Sequence, residues 1–365
     1  MKKTTINTAL VLFSMLIALL LLEFSLRLIG NEKLRVYKPN PERAIFWQFD
    51  NLLGWKHLPG KDGKFILGET AIPVKINSSG LRDRFYPYER TDGFFRIVVL
   101  GDSFTWGFGV EQDQIFSELI EKTNNKMELI NMGVSGYSTD QEYLLLQNEG
   151  LKYLPDLVIL MFFNNDVYEN TLDINYIIYP KPKFSLIDGK LILTKRPQPK
   201  ISLVRRIHYF LRTHLITYDS LVRVYLYSDS SLFTFFRDLV KRTANLFSSK
   251  NSENDLKLTF AIFDEIKTLC ETNGAKFMIV NVATHKQALN FDAGKPSPLA
   301  KFCVSKDIPF LDLAGPFQDY LKSHKEISLQ LPNDRHWNAK AHHLAADIIT
   351  SFLLDKQLIP AEELK

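Results

Sequence analysis

Residues 96–109 read RIVVLGDSFTWGFG. The first half is a short apolar, β-branched run that closes on Gly101 and a polar pair, the pattern of a strand buried on both faces. The same texture returns in ELINMGV (128–134), DLVILMFF (156–163), KFMIVNV (276–282) and PFLDL (309–313). Between these runs lie apolar residues at helical spacing: Ile115, Leu119 and Ile120, then Tyr143, Leu144 and Leu145, then Phe260, Phe263, Ile266, Leu269 and Cys270 ahead of the stop signal Asn273-Gly274. Strands alternating with helices predict a parallel sheet covered on both faces, a doubly wound α/β layer with right-handed crossovers. Functional residues in such a sheet collect at the carboxyl ends of its strands.

Four short blocks fall at such ends. In GDSFTWGFG (101–109) a serine, Ser103, sits on the turn after the first strand, where its hydroxyl and its backbone N–H can face one pocket; Asp102 is read as ordering that turn. Taken alone, Gly-Asp-Ser is also an ordinary turn. Near the other end of the chain, LPNDRHWNAKAHHLAADIITSFLL (331–354) puts Asp334 and His336 on a loop, with Asn338 capping a helix whose apolar face is Ala341, Leu344, Ala345, Ile348 and Ile349. A serine nucleophile needs a base, and a neutral imidazole needs a carboxylate to fix its tautomer. His336 and Asp334 supply both. NMGVSGYST (131–139) ends the second strand with Gly133 and Gly136, which let the backbone come close and present an N–H. FFNND (162–166) ends the third with Asn165, whose amide is a donor at the same edge. Three donors on one oxygen are what a tetrahedral oxyanion requires.

These blocks, in this order, resemble the SGNH (GDSL) family of serine esterases and acyltransferases over residues 96–166 and 256–355. The resemblance implies a flavodoxin-like three-layer α/β/α fold. It makes Ser103 the nucleophile and His336 the base, with Asp334 as the acid and the Ser103 N–H, Gly136 and Asn165 as the oxyanion hole. Two positions depart from the usual pattern: Phe163 stands where the third block has glycine, and position 333 is Asn, so that the carboxylate is Asp334, two residues before the histidine. The Asp-x-His-Trp form is similar to that of the membrane-associated alginate O-acetyltransferase group. The INSSGLRD stretch (76–83) and its surroundings resemble the extension of anchored bacterial members that lie outside the inner membrane. The implied activity is hydrolysis of an ester, O-acetyl on a carbohydrate or another envelope ester. O-acyl transfer to an envelope polysaccharide is the alternative within the family, and a non-catalytic envelope-binding protein the alternative outside it. Phe163 is expected to narrow the cleft, and Trp106 and Trp337 either stack on a sugar ring or wall the pocket.

Residues 4–22 carry no charge and end in LVLFSMLIALLLL. At about 1.5 Å per residue they reach roughly 28 Å, nearly a bilayer. No small-x-small cleavage site follows, so residues 1–30 are expected to be an uncleaved signal anchor, with Glu23 and Arg27 paired at the headgroup level. Flanking charge alone would hold the bulk of the chain inside, since Lys2 and Lys3 face Arg27, Lys33, Arg35 and Lys38. Long domains, however, cross largely regardless of it. The family resemblance therefore decides the expected location, a single-pass anchor with the catalytic part extracytoplasmic.

Residues 31–95 read as an irregular, partly β extension, and residues 356–365 as a tail. Residues 167–255 interrupt the alternation. Of this insertion, 168–199 is rich in Tyr, Lys and Pro with a hairpin signal at Asp188-Gly189. Residues 201–227 and 231–247 are helical patterns with basic residues between the apolar ones. This insertion holds 14 Lys and Arg against 8 Asp and Glu, whereas the whole chain of 365 residues is only +4. It is read as a helical pair packed on the core, as a lid over the strand ends, or as a surface for anionic lipid or polymer.

Other chemistries find no residues to carry them. Two cysteines, Cys270 and Cys303, make no scaffold; they either pair or are buried small hydrophobes. No phosphate-binding or dinucleotide fingerprint occurs, and His342 and His343 lie on a capped helix and point to different faces. No cofactor, metal or nucleic-acid partner is therefore expected. The expected partners are the ester substrate and the membrane, and nothing indicates an oligomeric state.

Overall fold

The computed structural model describes residues 2–29, 41–67, 70–123, 125–176, 178–227, 253–332 and 334–360. All five expected strands form one parallel sheet: β1 (Phe95–Gly101), β2 (Met127–Asn131), β3 (Leu157–Phe162), β4 (Lys276–Asn281) and β5 (Phe310–Asp312). Their spatial order is β5-β4-β3-β1-β2, so the chain reverses direction across the sheet between β1 and β3. That is the flavodoxin-like order, whose switch point opens a crevice at the carboxyl edge. Ile97 pairs with Leu129 on one side and Leu157 on the other, and Val280 with Met161 and Leu311. Ile97, Val98, Val99 and Leu100 are fully buried, each side chain contributing about 1.5–3 kcal/mol relative to exposure.

Helices cover both faces. Thr139–Asn148 starts from Ser138 in a capping box with Gln141, and Glu253–Thr272 packs against it with Leu258, Ile262, Phe263 and Ile266 turned inward. Phe116–Glu121 and Ala339–Asp355 pack together elsewhere on the sheet. Cys270 and Cys303 are both buried and unpaired, which resolves the two readings in favour of small hydrophobes.

The extension before β1 is β-rich, as expected, with antiparallel hairpins Trp47–Asp50/Gly54–His57 and Asp62–Leu67/Thr70–Lys75. The insertion divides. Residues 179–199 belong to the same compact unit as the sheet and contain the hairpin Lys183–Ile187/Lys190–Lys195. Its turn is Asp188-Gly189, with φ of 51° and 75°, the left-handed pair that a two-residue hairpin requires. Residues 200–227 instead form a second compact unit with the N-terminal helix Lys2–Ile29. The pattern over 201–227, read as one helical segment, breaks at Leu215, whose extended φ/ψ of −116°/116° separates helix Leu203–His214 from helix Ile216–Tyr227. The second pattern, 231–247, lies outside the described residues. Within the N-terminal helix, Ile6–Ile29 is long and apolar enough to cross a membrane.

Candidate active site

Ser103 opens the four-residue helix Ser103–Trp106 directly after β1. Asp102 caps that helix by accepting from the Phe104 N–H at 2.9 Å, the ordering role expected of it, and burial pushes its carboxyl above the ordinary range. The helix is held from the other end by the extension. Arg82, 1% exposed, donates to the Trp106, Gly107 and Val110 carbonyls at 3.0, 2.7 and 2.7 Å, and lies 4.6 Å over the Trp106 ring. Its neighbour Asp83 accepts from the Asn131 N–H at 2.8 Å, tying the end of β2 to the same extension. The RD of INSSGLRD is thus a brace behind the serine turn.

The loop after β2 is pressed onto that turn. Asn131 donates through Nδ2 to the Thr105 carbonyl at 2.8 Å, and a Cβ on Gly133 would meet the Trp106 nitrogen at 2.5 Å, so only glycine lets the two backbones come this close. Gly136 has φ +80°, a left-handed conformation that costs a side chain strain. Asn165 follows β3. Ser103, Gly136 and Asn165 therefore stand at the carboxyl ends of three adjacent strands.

His336 and Asp334 arrive on the loop before the last helix. Leu331 donates to the His336 carbonyl at 2.9 Å, Gln330 and Trp337 form a bridge, and Asn338 caps helix Ala339–Asp355 at 3.0 Å through the Ala341 N–H. This tight loop brings His336 Nε2 to 2.7 Å from Ser103 Oγ, and His336 Nδ1 to 2.5 Å from Asp334 Oδ1. The same carboxylate oxygen accepts the His336 backbone N–H at 2.8 Å. Burial pulls the Asp334 carboxyl upward, but the hydrogen bonds and charge of His336 outweigh it and hold it below the ordinary value. Asp334 is therefore an anion at neutral pH. Phe108 stacks on the imidazole with centroids 4.2 Å apart, fixing the ring plane. Asn333 lies outside the described residues.

Beside Asp334 a cavity of about 470 Å³ is lined by Phe163, Thr284, Gln287 and Arg335 among others. Phe163 forms its wall, 4% exposed, with the Arg335 guanidinium 5.1 Å over the ring. Trp106 and Trp337 require a correction. Both are 0% exposed, and Trp337 Nε1 donates to the Ala283 carbonyl at 2.8 Å. Neither has a face to offer a sugar; they are core behind the site. His342 is likewise fully enclosed, its Nδ1 accepting from the Phe116 N–H at 3.3 Å, and burial lowers it to about 3. Among the described residues no group of three or more His, Cys, Asp or Glu is arranged to hold a metal ion.

Three residues with no legible signal also shape the site. Burial raises the Glu169 carboxyl, and the Asn165 side chain beside it pulls the other way. Lys181, fully buried, donates to Ser138 Oγ at 2.7 Å, to both Asp140 carboxylate oxygens and to the Glu169 carbonyl at 2.6 Å. From the insertion it thus ties the Gly136 loop to the Asn165 turn. Glu42, on the short helix Pro41–Phe46, reaches Ser135 and is fully buried.

Burial pushes the Glu42 carboxyl from 4.5 up to about 7, with Ser135, Arg43, His336 and Arg82 pulling the other way. The folded chain thus holds this proton more tightly than the unfolded one. The stability it confers is complete below the unfolded value and is lost as pH rises through the folded value. Gln at this position stays neutral throughout. Chemical denaturation at a series of pH values is expected to show Glu42→Gln gaining about 3 kcal/mol on the wild type between roughly pH 4 and pH 8.5. A difference independent of pH would mean that Glu42 does not titrate there.

No family model matches the chain, and no curated protein matches it. Solved structures do. An acetyl xylan esterase is 15% identical, with 70% of this chain and 98% of that one covered at a TM-score of 0.39. A member of the lipolytic protein G-D-S-L family from Veillonella parvula is 12% identical, with 72% and 97% covered at 0.38. A psychrotrophic esterase from Pseudoalteromonas sp. is 11% identical, with 72% and 99% covered at 0.39.

Proposed function

We propose that this chain is a membrane-anchored serine esterase of the SGNH type that removes an acyl group, O-acetyl, from a carbohydrate ester of the cell envelope. One observation carries the reading: the continuous hydrogen-bonded chain from Ser103 Oγ through both nitrogens of His336 to Asp334. A structural serine has no need of an imidazole whose other nitrogen is held by a carboxylate.

In this reading His336 Nε2 takes the Ser103 proton as Oγ attacks the ester carbonyl. The resulting oxyanion accepts from the Ser103 and Gly136 N–H groups and from the side-chain amide of Asn165. Collapse expels the sugar alkoxide, which leaves with the proton from His336. Water, deprotonated by the same imidazole, then attacks the acyl-enzyme, and acetate departs as Ser103 regains its proton. Truncating Asn165→Ala removes one donor. It is expected to lower kcat for an aryl acetate by roughly 10²–10³ with little change in KM, because the donor is used in the transition state. A change confined to KM would place Asn165 in ground-state binding instead.

The test of the reaction is to load Ser103 from an activated acetyl donor and follow its decay with and without candidate glycans. Decay to acetate at an unchanged rate supports hydrolysis. Acceleration by a glycan, with stoichiometric acetylation of it, would replace hydrolysis by O-acyl transfer. For the location, a C-terminal reporter fusion is expected to be active in an extracytoplasmic form; activity only in the cytoplasm would overturn the topology.

A further inference from the structure

Helix Leu203–His214 is amphipathic, and its partner packs against the polar side. At about 100° per residue, Leu203, Val204, Ile207 and Phe210 fall within an arc of roughly 120°, and these four are between 50% and 76% exposed. The opposite side faces helix Ile216–Tyr227 instead. There Arg212 Nε donates to Asp219 Oδ1 at 2.7 Å, with Asp219 fully buried, and His208 Nδ1 lies 2.8 Å from the Tyr218 hydroxyl. In water a helix buries its apolar stripe and exposes its polar one. Helix Leu203–His214 does the reverse, which is the arrangement suited to a lipid surface.

The N-terminal helix sets the level. Glu23, 8% exposed, accepts the N–H groups of Ile216 and Thr217 at 3.0 and 2.9 Å and the Thr217 hydroxyl at 2.9 Å. Arg27 pairs with Glu23 and donates to the His214 carbonyl at 2.5 Å. The helix pair is thus fastened at its turn to one end of the apolar span. From Ile6 to Glu23 the helix rises about 26 Å, close to the thickness of the hydrocarbon core, so Glu23 and Arg27 fall where acyl chains give way to headgroups. Residues 201–215 hold three arginines and no acid, and among the described residues Arg205 and Arg206 form no ion pair. A guanidinium next to an apolar stripe at this depth meets lipid phosphate.

We infer that the Leu203–Tyr227 helix pair lies in the bilayer interface, its Leu203, Val204, Ile207 and Phe210 side chains in the acyl boundary and Arg205 and Arg206 among the headgroups. The N-terminal helix is accordingly retained, since its Glu23 supplies the N-terminal cap of the second helix. The partner is the phospholipid surface that the anchor itself enters, and the assignment holds whatever Ser103 does.

The test uses the full chain in vesicles of phosphatidylcholine and phosphatidylglycerol, with a nitroxide attached to Val204→Cys, Phe210→Cys or Arg206→Cys. Cys270 and Cys303 are buried, which directs the label to the new thiol. The expected result is a ratio of oxygen to nickel-chelate collision several-fold higher at 204 and 210 than at 206. Preference for the nickel chelate at 204 and 210 would put that face in water and overturn the proposal. Labels immobilised and shielded from both reagents would overturn it as well, because protein, either the catalytic unit or a second copy, would then cover the face. Ile207→Cys serves as the replacement reporter should either apolar-face variant fail to fold. The readout does not involve turnover, so it stands apart from the esterase reading.

Discussion

Ser103→Ala is expected to lower turnover of aryl acetates by roughly 10⁴-fold or more while leaving the fold intact. The side chain is small, and among the described residues its one hydrogen bond is to His336. The packing around it, from Arg82 and Asn131, is made to neighbouring backbone. Thermal unfolding should therefore be near that of the wild type. A fluorophosphonate is expected to label Ser103 in the wild type and to label it poorly in His336→Ala, because the hydroxyl is a weak nucleophile without a base. Retained turnover in Ser103→Ala would end the assignment of the nucleophile. Folded wild-type protein that takes no label would instead be an envelope-binding protein that uses the same cleft for a ligand.

The second large effect is at Asp334. Asp334→Asn should cost about 10⁴ in kcat with KM little changed. An amide oxygen can still accept from Nδ1–H, but the neutral group no longer stabilises the imidazolium formed as Ser103 attacks, and an amide turned the other way favours the wrong tautomer. Burial raises the Asp334 carboxyl, and the hydrogen bonds and charge of His336, with Arg335 adding to them, hold it below its ordinary value. Asn333→Ala is the control, since the family whose blocks the sequence resembles usually has its acid at that position; it is expected to leave kcat near the wild-type value. Equal damage from both substitutions would mean that the acid is misassigned.

How much of this was legible depended on the range of the signal. Ser103, Gly136, Asn165, Asp334 and His336 each sit in a block whose turn, cap or glycine spacing is local, and each strand carries its own apolar run. Trp106 and Trp337 show the limit. An aromatic beside a catalytic block reads the same whether it faces the cleft or the core, and only packing against the Arg82 guanidinium and the Ala283 carbonyl decides it. Glu42, Glu169 and Lys181 had no local signal at all. Lys181 lies 41 residues from the Asp140 it neutralises, and nothing in KPK announces a buried ion pair.

The sequence by itself determined the sheet, its order of elements, the four blocks at its carboxyl edge and the apolar N-terminal span. Backbone propensity and side-chain periodicity act over a few residues, and each of those features is written at that range. Tertiary structure alone decided which side chains meet. It made Arg82 and Lys181 braces of the site and turned two tryptophans into core. It also divided the insertion between the sheet unit and the unit of the N-terminal helix, and left Leu203, Val204, Ile207 and Phe210 exposed. Burial and hydrogen-bond satisfaction are properties of the whole packed chain, because a buried Lys or Glu is tolerable only where a distant segment supplies its partner.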